Sequence, residues 1–399
     1  MPGRRRGIAV PVRRPEGHAC SAGRGDRRRA APLTDDAIDC NRWAFGIFCS
    51  SGGCLRDAAQ LSGRGRIRLT ETSAYSGNNG RAAITADAGG KQFIYTAGNA
   101  GNGNPQPDGV ILGAGTQLIT PGAAPGTPTP AGSFSITELG DKADKIGKDD
   151  NFRGLTIFNN VLYYTKGSGG NGVNTVYFLD TTGKACPNGT GLPAAGAPLP
   201  SSPLAYNPAD LQTTGLPSNM CILKGLNTTL AKTTTNVFPF GLWFANPDTL
   251  YVADEGKGAT TFSGTFSGGT YTAAAAQTTA GLQKWVFDGT QWKLAYTLQA
   301  GLGLGQPYTV RGYPTGTNAA TGLPWAPATD GLRNVTGRVN RDGTATIWAV
   351  TSTVSGSGDQ VEITDPLAAT APAAGEGFRT VRAARFAEVV RGVSFTPER

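Results

Sequence analysis

Apolar and polar residues alternate over short runs along most of this chain, and turn formers break the runs at close intervals. The densest example lies between residues 238 and 299. GLWFA (241–245), TLYVAD (249–254), GLQKWVF (281–287) and QWKLAYTLQ (291–299) each read as a strand. NPD (246–248) and DGT (288–290) are the turns, and a Gly-rich insertion separates the second strand from the third. Period-two alternation, β-branched and aromatic side chains and bounding Gly, Pro, Asn and Asp are what a half-buried antiparallel strand needs. Four such strands in succession make one blade of a β-propeller.

The phase recurs. First strands start at RAAIT (81–85), RGLTI (153–157), FGLWF (240–244), RNVTG (333–337) and RGVSF (391–395). Second strands follow as QFIYTAG, VLYYTKG, TLYVADEG and TIWAVTS. Third strands follow as GVILGAG, TVYFLDT, GLQKWVF and QVEITD. RIRLTET, SFSITELG, MCILKGL, KLAYTLQ and RTVRAAR read as fourth strands, each leading into the next start. The starts lie 72, 87, 93 and 58 residues apart, against roughly 40–50 for a compact blade. The excess falls in Gly-, Pro-, Ala- and Thr-rich stretches at 97–133, 181–219, 255–280 and 301–331, which read as rim loops. The fold expected is all-β: a β-propeller of four-stranded antiparallel blades, four blades plus parts of a fifth. A β-sandwich is the competing all-β reading. The return of one four-strand phase without long helices favours the propeller.

FPFGLWFANPDTLYVADEG…GLQKW resembles an NHL-type propeller repeat, and RGLTIFNNVLYYTKG is a looser copy. From about residue 67 to 399 the chain is similar to uncharacterised secreted bacterial β-propeller proteins, whose chains end in a strand like RGVSFTP. The resemblance implies an extracellular or periplasmic parent family. The long insertion after Glu255 departs from the compact repeat, so NHL partner-binding roles do not carry over.

Charge sets residues 1–66 apart. They hold 13 of the 36 basic residues, all Arg, and 6 of the 28 acidic ones, so seven of the eight net positive charges reside there. The body from 67 on is nearly neutral, and no nucleic-acid partner is expected for it. The head also holds the only histidine, His18, and the cysteines at 20, 40, 49 and 54, which lack C-x-x-C spacing. Three readings stand: a basic arm, a cysteine-rich metal module, or an off-frame translation joined to a propeller near residue 66. Arg-, Gly- and Ala-heavy text without Lys favours the last. On that reading 1–66 is irregular and 67–399 is the propeller. The N-terminal strands of the ring are then missing, and the ring is open or closes imperfectly. The apolar run GIAVPV is too short for a signal-peptide core. No run of 18 apolar residues exists, so no membrane span is expected.

With no histidine in the body, a Ser–His–Asp triad and His-based zinc sites are excluded from it. Four aspartates, Asp141, Asp144, Asp149 and Asp150, alternate with lysines in GDKADKIGKDDN and offer hard oxygen ligands for calcium; a solvated, locally neutralised loop is the simpler reading. Asp254 and Glu255 close a strand as a carboxylate pair, catalytic or a rim turn. GLGLG (301–305) lacks the helix a dinucleotide loop requires. Phe240, Trp243, Phe244, Tyr251 and Trp285 read as core. Arg81, Arg153, Arg333 and Arg391 occupy equivalent strand starts, so they should ring one channel mouth, as an anion site or as locks between blades. Cys186 and Cys221 bracket a long Pro-rich loop and read as a disulfide, which implies an oxidising compartment.

The function expected is a non-catalytic extracellular binding or scaffold propeller, monomeric, taking a protein or a glycan at one face. A carboxylate- or calcium-dependent hydrolase or lyase acting on a glycan or small ester is the alternative. It needs some of Asp141, Asp150, Asp254, Glu255 and Asp342 to converge.

Overall fold

A computed structural model describes residues 8–13, 43–50, 53–61, 67–75, 79–99, 115–124, 129–142, 149–205, 218–233, 237–258, 261–353 and 358–395. Within it the fold class is the one expected: all-β, with four antiparallel sheets as β-propeller blades. Strands also run through the segment that the sequence pattern left irregular. These are β1 (Ile8–Arg13), β2 (Trp43–Ser50) and β3 (Gly53–Leu61). β4 (Ile67–Thr72) is the expected RIRLTET strand and joins β2 and β3 in an antiparallel sheet of order β2-β3-β4. Ala58 of β3 is fully buried against Ala83, Ile94 and Ile119. Of residues 1–66 only β1, β2 and β3 are described, so the expectation that the segment as a whole is irregular falls largely on residues outside the described ones. Backbone pairing supplied strands where the Arg-rich text showed no side-chain period.

The strands form two compact units. The first takes β2–β4 and continues with β5 (Asn79–Ala88), β6 (Lys91–Asn99), β7 (Thr116–Ile119) and β8 (Pro130–Gly132), which form blade one in that order. Gly89 and Gly90, both at positive φ, make the tight turn between β5 and β6. Two left-handed residues in a two-residue loop match the right-handed twist of the flanking strands. Asn159 and Asn160 do the same in blade two, at φ 48 and 60, between β9 (Leu155–Phe158) and β10 (Val161–Lys166). β11 (Thr175–Leu179), the two-residue β12 (Thr190–Gly191) and β13 (Met220–Leu223) complete that blade, in order β12-β13-β11-β10-β9. Every residue of β10 and β11 is buried, as befits inner strands covered on both faces.

Blade one departs from its expected phase twice. The third strand is TQLI, and Gly115 alone of GVILGAG lies among the described residues. The fourth is β8, upstream of SFSITELG, because Ile136–Leu139 winds into a 3-10 turn. The Ser135 hydroxyl accepts from the Thr137 N–H at its start, and Gly140 at φ 78 closes it. A capped turn satisfies those backbone groups without a partner strand.

Aromatic rings seal the two blades. Phe152 meets Tyr177 edge-on at 5.5 Å and Tyr164 at 5.4 Å, and Phe134 meets Tyr177 at 4.9 Å. Cys186 and Cys221 are joined as a disulfide, with Cα atoms 5.4 Å apart across 35 residues.

The second unit begins with β14 (Pro239–Asn246), β15 (Thr249–Asp254), β16 (Phe262–Ser263), β17 (Thr270–Tyr271), β18 (Gly281–Phe287) and β19 (Trp292–Leu298). β14-β15-β18-β19 is blade three, all four strands where the pattern placed them. The insertion between β15 and β18 holds the β16–β17 hairpin and one helical turn, Thr272–Ala275. Blade four is β20 (Thr329–Val339), β21 (Thr344–Thr353), β22 (Gln360–Pro366) and β23 (Arg379–Arg382). β24 (Glu388–Ser394), the fifth first-strand, pairs antiparallel with β1. Leu282, Leu298, Leu332, Val335, Ile347 and Ile363 share one core between the two blades. No helix among the described residues is long and apolar enough to cross a membrane.

Candidate functional site

In each blade the first strand starts where its hairpin partner ends, so the leading residue and the tail of the second strand share one end of the blade. In the first unit this end gathers charge. Register aligns Leu155 with Tyr164, which puts Lys166 beside the Arg153 end of β9. Arg153 Nε donates to Ser168 Oγ at 3.0 Å. Arg81 of blade one donates to Asn151 Oδ1 and to the Phe152 carbonyl, reaching the start of blade two.

Asp149 and Asp150 stand next to these contacts, and both are buried. Asp150 accepts from the Phe134 N–H at 2.9 Å and the Ser133 hydroxyl at 3.2 Å; Asp149 accepts from the Ile136 N–H at 3.2 Å. Their oxygens therefore hold the backbone that leaves blade one. Burial pushes the Asp150 carboxyl well above the usual range, and the neighbouring Asp149 charge adds to this against the Phe134 N–H. Lys166 is fully buried, donating to the Ser168 carbonyl at 2.9 Å and Asn174 Oδ1 at 3.0 Å. Burial lowers its amine to about 7 despite the two aspartates. Asp149 and Asp150 thus face the backbone of blade one. Asp144 lies outside the described residues, Asp141 accepts only from its neighbour's N–H at Lys142 among the contacts resolved for it, and no three-ligand metal cluster occurs among the described residues.

In the second unit two glycines bring acids together. A Cβ at Gly256 would sit 2.4 Å from the Asp330 carbonyl, and one at Gly331 would sit 2.3 Å from the Asp254 carbonyl. Only bare backbones pack this closely. Asp254, Glu255 and Asp330 converge as a result. Asp254 is fully buried and accepts from the N–H groups of Phe238 at 2.8 Å and Gly256 at 2.9 Å. Burial raises its carboxyl to about 7, those two N–H groups oppose the rise, and the Glu255 and Asp330 charges add to it. Glu255 pairs with Arg333 at 3.0 Å, and the Arg333 guanidinium lies 5.8 Å from the Phe240 ring centre. This is a link between blades three and four. Arg391 is exposed on β24. Asp342 is exposed in its turn and accepts from the Thr344 N–H and hydroxyl, apart from the acid group.

A second buried network joins β18 to β22. Lys284 pairs with Asp365 at 2.9 Å and donates to the Pro366 carbonyl at 2.6 Å and the Ala369 carbonyl at 3.1 Å. Tyr251 and Tyr296 each donate to the Asp365 carboxylate, and burial with that carboxylate holds both phenols protonated. Sequence reasoning missed this group, because its members stand on strands of two blades 114 residues apart at the extremes.

An open feature of this unit is a cleft of about 420 Å³ beside the 301–328 connection. Its lining includes Tyr313, Trp325 and Phe386 together with the buried Tyr271. Trp325 is 39% exposed and Phe386 58%. The connection folds on itself: Asn318 N–H donates to the Leu323 carbonyl at 2.8 Å and Trp325 N–H to the Gly316 carbonyl at 3.0 Å. Tyr313 meets Phe386 edge-on at 5.6 Å with the rings perpendicular. Ala387, also in the wall, stands at φ 60. The sequence carried one signal for this cleft: GYP and LPWAP set single aromatics beside prolines in a stretch otherwise poor in large apolar residues.

No protein-family model matches this chain, and a search of curated proteins finds no match to it.

Proposed function

We propose that this chain is a non-catalytic binding β-propeller that works outside the cell and takes its ligand in the aromatic cleft of the second unit. The observation that carries the reading is the exposure of Trp325 and Phe386 around a preformed cavity. Among the described residues these two are the aromatic side chains that stand exposed, and such a patch marks an interaction surface. The Cys186–Cys221 disulfide supports an oxidising compartment. The test is retention of the purified chain on insoluble envelope material from the cells that make it. Trp325→Ala and Phe386→Ala should release it without lowering its melting temperature. Equal retention of all three proteins would sink the reading.

One observation favours a hydrolase instead. Asp254, raised to about 7 beside Glu255 and Asp330, has the protonation behaviour of a general acid at neutral pH. Against it, both Asp254 oxygens hold backbone N–H groups and the side chain is sealed from solvent. Turnover of chromogenic glycosides or esters that is lost in Asp254→Asn would establish this second reading.

A further inference from the structure

We infer that the cleft ligand is an uncharged sugar ring, a pyranose of a neutral glycan. The inference rests on the binding reading above and names its ligand class.

Charge is the first argument. None of the ten residues lining the cleft is Asp, Glu, Lys or Arg. A phosphate or uronate ligand would give up water there without a counter-charge from the lining, which is costly. A neutral ligand meets no such penalty.

Shape is the second. A pyranose has a flat face of C–H groups and a rim of hydroxyls. Tyr313 and Phe386 stand perpendicular, so one ring offers a flat platform and the other a side wall, with Trp325 as a third aromatic of the lining. Aromatic faces take the C–H side of the ring. Asn318 and Thr321 on the lining supply an amide and a hydroxyl for the rim. The cavity of about 420 Å³ lies at the small end of the range for small-molecule sites.

Preorganisation is the third. Pro314 and Pro324 stiffen the wall, and Thr317 bridges to Pro324. Gly312, at φ 92, lets the loop press on Phe386: a Cβ there would sit 2.9 Å from the Phe386 Cβ. Ala387 holds a left-handed backbone that a non-glycine residue adopts only under constraint, and such residues cluster at ligand clamps. A wall already fixed in shape loses little entropy on binding.

The experiment is native affinity electrophoresis of the full chain through gels containing a soluble neutral β-glucan, neutral xylan or polygalacturonate, with tryptophan fluorescence titration by oligomers of each and by a proline-rich peptide. The result expected is retardation by at least one neutral glycan. Trp325→Ala and Phe386→Ala should each weaken it roughly tenfold or more, while Val381→Ala, an exposed apolar residue outside the cleft, leaves it unchanged. Preference for polygalacturonate or the peptide overturns the sugar assignment, as does binding to no neutral glycan. If the sugars fail while Trp325→Ala still releases the chain from envelope material, only the ligand class falls. If that release also fails, the binding reading falls with it.

Discussion

Lys284 and Asp365 form an ion pair 2.9 Å long between blades three and four, with neither side chain exposed. The pair sits in a wider hydrogen-bonded group that also brings the Glu376 carboxyl to Asp365. Two tyrosine hydroxyls donate to the carboxylate, and two backbone carbonyls and the Tyr296 oxygen accept from the ammonium. A buried pair made this way adds little net stability over an apolar one, but breaking it leaves a lone charge in the core. Lys284→Met should therefore destabilise the second unit by about 3–5 kcal/mol in urea denaturation. The double variant with Asp365→Leu should be less unstable than the sum of its parts. A loss below about 1 kcal/mol for Lys284→Met would show that the charges are not paired in solution.

The second unit should lose stability as pH rises from about 4 to 7. The Asp254 carboxyl is raised to about 7 in the folded chain, against about 4 unfolded. Between those values the folded state binds the extra proton, so each step up in pH favours unfolding. Glu376 and Asp359, raised chiefly by burial, act with the same sign. Denaturation of Asp254→Asn at pH 4.5 and 7.5 should show a flatter dependence than the parent.

Lys166 predicts the opposite slope in the first unit. Its amine is lowered to about 7 by burial, so between pH 7 and about 10 the unfolded chain binds the extra proton and stability rises with pH. Lys166→Met should remove that rise and leave the unit more stable than the parent near pH 6, if the Asn174 and Ser168 oxygens are taken up by water. Thermal melts at pH 6, 7.5 and 9.5 read this directly.

Reduction should weaken the first unit as well. Closing 35 residues with one disulfide restrains the unfolded chain by about 3–4 kcal/mol in the chain-entropy treatment. Cys186→Ala/Cys221→Ala and reductant-treated wild type should share a lower melting temperature. An unchanged transition would mean the link is not formed in the purified protein.

Gly241 marks a further close approach of blades three and four. A Cβ there would lie 2.5 Å from the Arg333 carbonyl and 2.9 Å from the Val335 nitrogen, both backbone atoms that cannot swing aside. Gly241→Ala should cost about 1–3 kcal/mol, whereas Gly170→Ala, with open space around it, should leave stability within about 0.5 kcal/mol. Urea midpoints of the two variants make the comparison.

The order of strands in blades two, three and four was legible in the chain. Period-two alternation and turn residues act locally, so GLWFA, TLYVAD, GLQKWVF and QWKLAYTLQ announce β14, β15, β18 and β19 without reference to anything distant. The cysteine pair was legible for a similar reason, since only two cysteines stand in the body. Local capping, by contrast, overrode the pattern at Ile136–Leu139. In the head, strand formation depends on backbone partners such as β24 for β1, which no side-chain period reveals.

Tertiary structure alone decided the chemistry. Asp254 and Glu255 looked like a rim turn until Gly256 and Gly331 packed them against Asp330 and sealed them in. Asp149 and Asp150 looked like an outward acidic loop until the backbone of 133–136 took their oxygens. Lys284, Asp365 and two tyrosines became one network only when two blades met, and Tyr313, Trp325 and Phe386 became one cleft only when the 301–328 connection folded beside the β23–β24 link. Strand identity depends on near neighbours in sequence. Burial, pKa and convergence depend on groups far apart in sequence that packing brings within a few ångströms.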